Sequence, residues 1–151
     1  MKKIVIALFI VMLLTACAPA TAQDDQAPET GAVLLVTVGD NQQSFSLEDL
    51  QALPSAEASF KDVAYKGVTM STLLEAAGFS PDGIKAIKAV ASDGFTVNYD
   101  TTQILKENVI VAYSLADGSP LTADDGNFRM VLPDEEGKLN LRMLAELQIV
   151  Q

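Results

Sequence analysis

Residues 112–143 read AYSLADGSPLTADDGNFRMVLPDEEGKLNLRM and place two arginines among apolar residues. Two short apolar runs, residues 109–115 and 128–132, give this part of the chain the composition of buried β-strands. Arg129 and Arg142 are the only arginines in the protein, and both lie in otherwise hydrophobic surroundings. Because a guanidinium stays charged at any accessible pH, each must remain hydrated, pair with an acid or hold an anion.

The residues alone leave two interpretations of this pair open. In the first, Arg129 and Arg142 face one cleft and hold a phosphate or another oxyanion through bidentate hydrogen bonds. In the second, each arginine pairs with a nearby acid or points outward from its strand. The neighbouring turns supply many carboxylates, for example Asp124 and Asp125. They lack the spacing of a calcium-binding loop and are typical of solvated turns.

The N-terminus has the pattern of an export signal. Two lysines precede an apolar run, residues 4–14, which is too short to span a membrane. The sequence LTAC at residues 14–17 follows and has the form of a bacterial lipobox. We therefore predict a lipoprotein signal peptide at residues 1–16 and diacylation of Cys17, with the protein anchored outside the cytoplasm to the cell membrane or outer membrane. The alternative is an ordinary secretory signal followed by a chance cysteine.

Composition restricts the function of the mature chain. Residues 17–31 are small and polar and predict a flexible tether, so residues 32–151 form the predicted domain. Loss of the two leader lysines leaves 8 basic residues against 20 acidic ones, a net charge of −12, which argues against nucleic acid as a partner. The domain has no cysteine and the chain no histidine, which removes the usual nitrogen and sulfur metal ligands and the Ser-His and Cys-His catalytic arrangements.

Hydrophobic patterning predicts an α+β domain with a mixed β-sheet and short helices. Ser46, Thr69 and Asp100 are predicted helix N-caps, and Lys66-Gly67 is predicted to turn the chain. The pattern predicts strands at residues 32–38, 42–45, 60–65, 84–91, 95–99, 109–115, 128–132 and 146–150, and short helices at residues 47–53, 70–77 and 101–106.

Several motifs occur in an order that resembles a known family. They are FSLEDLQALP at residues 45–54, YKGV at 65–68, SDGF at 92–95, DGSPL at 117–121 and FRMVLP at 128–133. Their order is similar to that in the oxidoreductase molybdopterin-binding domain of sulfite oxidases and related bacterial periplasmic enzymes. The resemblance covers roughly residues 33–150 and implies a sulfite-oxidase-like fold. It also implies that Arg129 and Arg142 occupy positions that the family uses around its anionic cofactor.

The sequence departs from the family where the metal chemistry would lie. Residues 55–64 span the interval in which the enzymes carry a molybdenum-binding cysteine, and here that interval has none. The usual glycine after Pro133 is Asp134, which adds a negative charge where an anionic pterin phosphate would sit. We therefore expect no cofactor, although the resemblance allows molybdopterin held by Arg129 and Arg142.

Three functional hypotheses follow. The first is a lipid-anchored extracytoplasmic binding or interaction module without a metal centre, whose partners are the membrane, an envelope protein or a small anionic ligand. The alternative is a molybdopterin-dependent oxidoreductase, or a subunit of one, that binds the cofactor without a cysteine and uses Ser55, Ser59 or Asp62 near the metal. The third is a purely structural component of an envelope complex.

Overall fold

The computed structural model describes residues 31–151. The predicted signal peptide, Cys17 and all but the last residue of the predicted tether lie outside the described residues. Within residues 31–151, no helix is long and apolar enough to cross a membrane.

The described part of the chain forms nine strands, three short helices and one 3₁₀ turn. The strands are β1 (Val33–Val38), β2 (Asn41–Ser46), β3 (Ala56–Phe60), β4 (Val63–Thr69), β5 (Ala86–Ala91), β6 (Thr96–Asp100), β7 (Ile110–Leu115), β8 (Arg129–Val131) and β9 (Leu144–Val150). The helices are α1 (Leu47–Ala52), α2 (Met70–Ala76) and α3 (Thr101–Ile104), and the 3₁₀ turn is Gly137–Leu139.

These strands build two sheets. A five-stranded sheet has the order β2-β1-β9-β5-β6, and a four-stranded sheet has the order β3-β4-β7-β8. Strands β1 and β9 are parallel, and the other neighbouring pairs are antiparallel. The predicted α+β class with mixed pairing is confirmed, with the strands divided between two sheets.

Alternation along the strands separates a main core from a smaller one. Side chains from both sheets, including Leu34 of β1 and Val111 and Tyr113 of β7, belong to the main core. Ile110 and Ala112 point to the opposite face of β7 and belong to the second cluster. Strand β7 is therefore buried on both faces, which explains the continuous apolar run at residues 109–115.

The helices are too short to be stable alone and depend on caps and burial. Ser46 caps α1 in a reciprocal capping box with Asp49, Thr69 caps α2, and Asp100 caps α3. These three predicted caps are confirmed. Helix α2 also buries Leu73 completely, which contributes roughly 1.5–3 kcal/mol.

The prediction for residues 60–67 is wrong. The chain turns at Lys61-Asp62, between β3 and β4, where both residues have positive φ values of 49° and 65°. Tight hairpins need this left-handed conformation and usually signal it with Asn-Gly or Asp-Gly. Because Lys61-Asp62 carries no such signal, the turn was predicted at Lys66-Gly67, where a glycine is present.

Gly67 lies inside β4 and serves close packing. It follows an irregularity in the β4–β7 pairing at Lys66/Gly67. A Cβ atom at Gly67 would overlap the backbone carbonyl oxygen of Val111 in β7. A glycine is therefore required by the approach of the two strands, and the turn signal was misleading.

The strand predicted at residues 95–99 starts one residue too early. Strand β6 begins at Thr96, and the Phe95 side chain is 53% exposed. Its backbone N–H donates to the Asp93 carboxylate at 2.9 Å, which holds the residue in the turn. Val97 and Tyr99, which lie within the strand, are buried.

We predict that Gly67→Ala lowers the free energy of unfolding by about 3 kcal/mol, because the clash is with backbone that cannot rotate away. Gly137→Ala is the matched control, since a Cβ there would meet no atom closer than 3.8 Å. It should change stability by less than about 1 kcal/mol. Urea unfolding measures both variants, and an equal effect of the two substitutions would refute this account of Gly67.

Candidate functional site

Arg129 is buried in an ion pair. Its guanidinium donates to the Asp125 carboxylate at 2.6 Å and to the Tyr65 hydroxyl at 2.8 Å. It also lies over the Tyr65 ring, 4.6 Å from the ring centroid. The second Asp125 oxygen accepts a hydrogen bond from the Thr122 hydroxyl at 2.9 Å. Arg129 and Asp125 are only 4% and 5% exposed, so water does not solvate their charges to any large extent.

This arrangement matches the second of the two interpretations for Arg129. Its charge is compensated by Asp125, from the β7–β8 loop (residues 116–128), and its planar group is stacked on an aromatic ring. An anion could use Arg129 only by displacing a buried carboxylate. Binding of a cofactor anion by Arg129 stays a prediction, and the described contacts do not favour it.

Arg142 lies in a different environment. It is exposed and lines a groove of about 240 Å³, here called the side groove, together with Asp93, Asp124, Phe95 and Lys138. The described residues form three ion pairs, and none includes Arg142. Arg129 does not line this groove, so the structure does not bring the two arginines to one cleft.

A larger concavity, here called the main cleft, has a volume of about 490 Å³. The start of β1, helix α1, the β7–β8 loop and residues 143–145 supply most of its walls. Phe128 and Leu144 are apolar members of the lining, whereas Ser92, Tyr113 and Asn127 are polar members. Among the described residues, no aspartate, glutamate, lysine or arginine lines the main cleft.

Tyr113 provides an uncommitted hydroxyl in this cleft. The residue is 7% exposed, and no described residue forms a hydrogen bond with its hydroxyl. The described residues contain no fully buried side-chain oxygen without a partner, so this hydroxyl must retain accessible surface. Burial raises the pKa of the Tyr113 phenol above its usual value, which keeps the group protonated.

Met143 forms a wall shared by the main cleft and the side groove. Its φ of 55° is left-handed, a conformation that costs on the order of 1 kcal/mol or more outside glycine. Two backbone hydrogen bonds hold it there, from its N–H to the Asp125 carbonyl at 2.7 Å and from the Ser92 N–H to its own carbonyl at 2.8 Å. Gly126 packs so closely that a Cβ on it would lie 2.8 Å from the Met143 Cα.

Sequence reasoning missed the main cleft and the positions of Tyr113 and Met143 in it. Tyr113 was visible only as part of an apolar run. The cleft itself joins segments far apart in the chain, which periodicity cannot detect.

Comparison with known proteins identifies the family. Residues 25–151 match the oxidoreductase molybdopterin binding domain family. The chain belongs to that family. The structure of the sulfane dehydrogenase SoxCD from Paracoccus pantotrophus has a similar fold, with 21% sequence identity and a TM-score of 0.64. The similarity covers 78% of this chain but only 38% of the SoxCD chain, and no curated protein sequence matches significantly.

The predicted family and its sulfite-oxidase-like fold are thus confirmed. The family name implies molybdopterin, and the residues of this domain do not fit that group. The described residues contain no cysteine and no cluster of three metal-binding side chains, and the chain has no histidine. Arg129 is already paired with a carboxylate, and the main cleft presents no cation to a phosphate.

The oxygen ligands considered for a cysteine-free site do not converge. Ser55 precedes β3, Ser59 lies within it and Asp62 lies in the turn that follows. At about 3.3 Å per residue, the strand separates Ser55 from Asp62 by roughly 20 Å. All three side chains are exposed.

We predict that Asp125→Asn lowers the free energy of unfolding by about 3 kcal/mol, because it leaves the Arg129 charge buried without a counter-charge. Asp124→Asn is the matched control, since Asp124 is the adjacent loop residue, is exposed and forms no described ion pair. The control should change stability by about 0.5 kcal/mol or less. Urea unfolding at neutral pH measures both, and equal midpoints would contradict a structural role of the pair.

We also predict that stability falls as the pH rises above about 10. Burial is the largest cause that raises the pKa of all three tyrosines, Tyr65, Tyr99 and Tyr113, and Arg129 only partly offsets it at Tyr65. The unfolded chain releases these protons near the ordinary value of 10.0 while the folded chain retains them, so the stabilisation is complete below that pH and is lost above it. Tyrosinate absorbance should rise at higher pH in native protein than in urea. Coincident titration curves would contradict this prediction.

Proposed function

We propose that the protein is a lipid-anchored extracytoplasmic binding module that keeps the fold of its family and has no metal centre of its own. The observation that carries the proposal is the neutralised Arg129, because the arginine expected to meet an anionic cofactor is bound to Asp125. The donor set supports the same conclusion, since the domain offers neither a thiol nor an imidazole for molybdenum.

The anchoring part of the proposal rests on the LTAC sequence and its position after the apolar leader. A tether of about fifteen residues reaches at most roughly 50 Å when fully extended. The net charge of −12 opposes adhesion to anionic lipid headgroups. The domain would therefore be held near the membrane but free of its surface, where its clefts are open to a ligand or to a segment of an envelope protein.

The competing function is a molybdopterin-dependent oxidoreductase, which family membership favours. SoxCD is a dehydrogenase, but this chain spans only 38% of the SoxCD chain. A decisive experiment expresses the full chain and a Cys17→Ser variant in a bacterial host that makes molybdopterin. Molybdenum and tungsten are measured by elemental analysis, and pterin by its fluorescence after oxidation. Mass spectrometry then defines the mature N-terminus.

We predict metal far below one atom per chain and no pterin, with an acylated N-terminus at Cys17 that the Cys17→Ser variant lacks. A molybdopterin enzyme purified from the same culture is the control for cofactor supply. One molybdenum or tungsten atom per chain would overturn the metal-free module and support the oxidoreductase. An N-terminus downstream of Cys17 without lipid would overturn the anchor.

A further inference from the structure

We propose that the main cleft binds an uncharged organic molecule of about two rings in size, with a carbonyl-type oxygen that accepts a hydrogen bond from Tyr113. This inference rests on the proposed function in one respect, since it takes the cleft to be free of an anionic cofactor. It deepens that function by assigning a class of ligand.

The described lining of the main cleft is uncharged. The chain carries 20 acidic and 10 basic residues, yet no charged side chain lines the main cleft in the described part of the chain. Asp125 lies in the loop that forms one wall, but its carboxylate is directed to Arg129 and Thr122. An anion entering the cleft would lose hydration without gaining a cation, and a metal ion would find no carboxylate. The lining therefore favours a neutral ligand.

The Tyr113 hydroxyl has no hydrogen-bond partner among the described residues. Tyr113 is only 7% exposed. No described residue accepts the proton of its hydroxyl or donates to the hydroxyl oxygen. Each of the other two tyrosines has a hydrogen-bond partner, Leu139 for Tyr99 and Arg129 for Tyr65. Because this hydroxyl keeps accessible surface at the main cleft, it is free to donate a hydrogen bond to a molecule bound there. A ligand oxygen that accepts from this phenol would gain a hydrogen bond in a partly desolvated site.

The main cleft has the size of a small-molecule site. A volume of about 490 Å³ lies within the usual range of small-molecule sites, roughly 300–1,000 Å³. Leu47 and Leu121, which are half-buried members of the lining, offer apolar surface to a ring. Met143 adds an adaptable thioether side chain, and its left-handed backbone is typical of residues held in place at binding sites.

Three naphthalene probes of similar shape test the proposal. 2-Acetylnaphthalene is neutral and carries the carbonyl, 2-ethylnaphthalene lacks it, and 2-naphthoate replaces it with a negative charge. Titrations use the unlipidated mature polypeptide, residues 18–151, because both sheets and the main core lie within it. Amide shifts in ¹H–¹⁵N spectra give the site and the dissociation constants.

We expect 2-acetylnaphthalene to shift the amides of Ser92, Asn127 and Ala145 and to bind at least about tenfold more tightly than 2-naphthoate. Tyr113→Phe should raise the dissociation constant of 2-acetylnaphthalene about fivefold, the effect of one neutral hydrogen bond. It should leave the dissociation constant of 2-ethylnaphthalene unchanged. Tyr99→Phe removes another buried hydroxyl, which donates to Leu139 outside the cleft, and should alter the affinity of neither neutral probe. Ala123→Trp, at an exposed position of the lining, should abolish binding of both neutral probes.

Three results would overturn the inference. The first is binding of 2-naphthoate as tight as that of 2-acetylnaphthalene. The second is amide shifts confined to residues outside the main cleft. The third is an equal loss of affinity for both neutral probes in folded Tyr113→Phe. The Ala123→Trp variant decides the location if Tyr113→Phe does not fold. Failure here leaves the metal-free module intact, because that proposal is decided by the metal and pterin analysis.

Discussion

The Asp125–Arg129 ion pair is the constraint that holds the candidate site together. The Asp125 carboxylate binds the guanidinium from β8, while its backbone carbonyl accepts the N–H of Met143 at the approach to β9. One residue thus connects the β7–β8 loop to β8 and to the residue that precedes β9. Buried pairs of this kind add little net stability over apolar packing, but loss of one partner is costly. The pair therefore acts mainly by fixing one position of the loop, and with it one shape of the main cleft.

The same pair changes the chemistry that the fold offers. An arginine in this place could present a cation to an anionic ligand, and the resemblance to molybdopterin-binding proteins implied that role for Arg129. Here the cation is compensated from inside the domain and covered by Tyr65. The main cleft nearby has an uncharged lining and a free phenol. Members of one family can thus share a fold while the polarity of the ligand site differs, because polarity depends on a few side chains and the fold on the whole core.

Local signals in the sequence predicted most of the fold, and the failures have physical causes. Capping residues such as Ser46 and Thr69 mark helix starts by chemistry that acts within three residues, and apolar runs mark buried strands. The Lys61-Asp62 turn carries no glycine, so its left-handed backbone has no sequence signature. The site was harder still. The presence of Arg129 was evident, but which of many acids it meets, and which residues border the cleft, depend on tertiary contacts that periodicity does not record.

The order of the five-stranded sheet has a consequence for how the protein reaches its native state. Strand β9, at residues 144–150, lies between β1 and β5, so the middle of the sheet is supplied by the most C-terminal of the described strands. Until it is present, two strands lack a neighbour and the main core lacks Leu147 and Ile149. Such long-range pairing makes folding late and slow compared with local hairpins. Completion of the five-stranded sheet therefore depends on contacts such as that between Thr37 and Glu146, which are 109 residues apart in the chain.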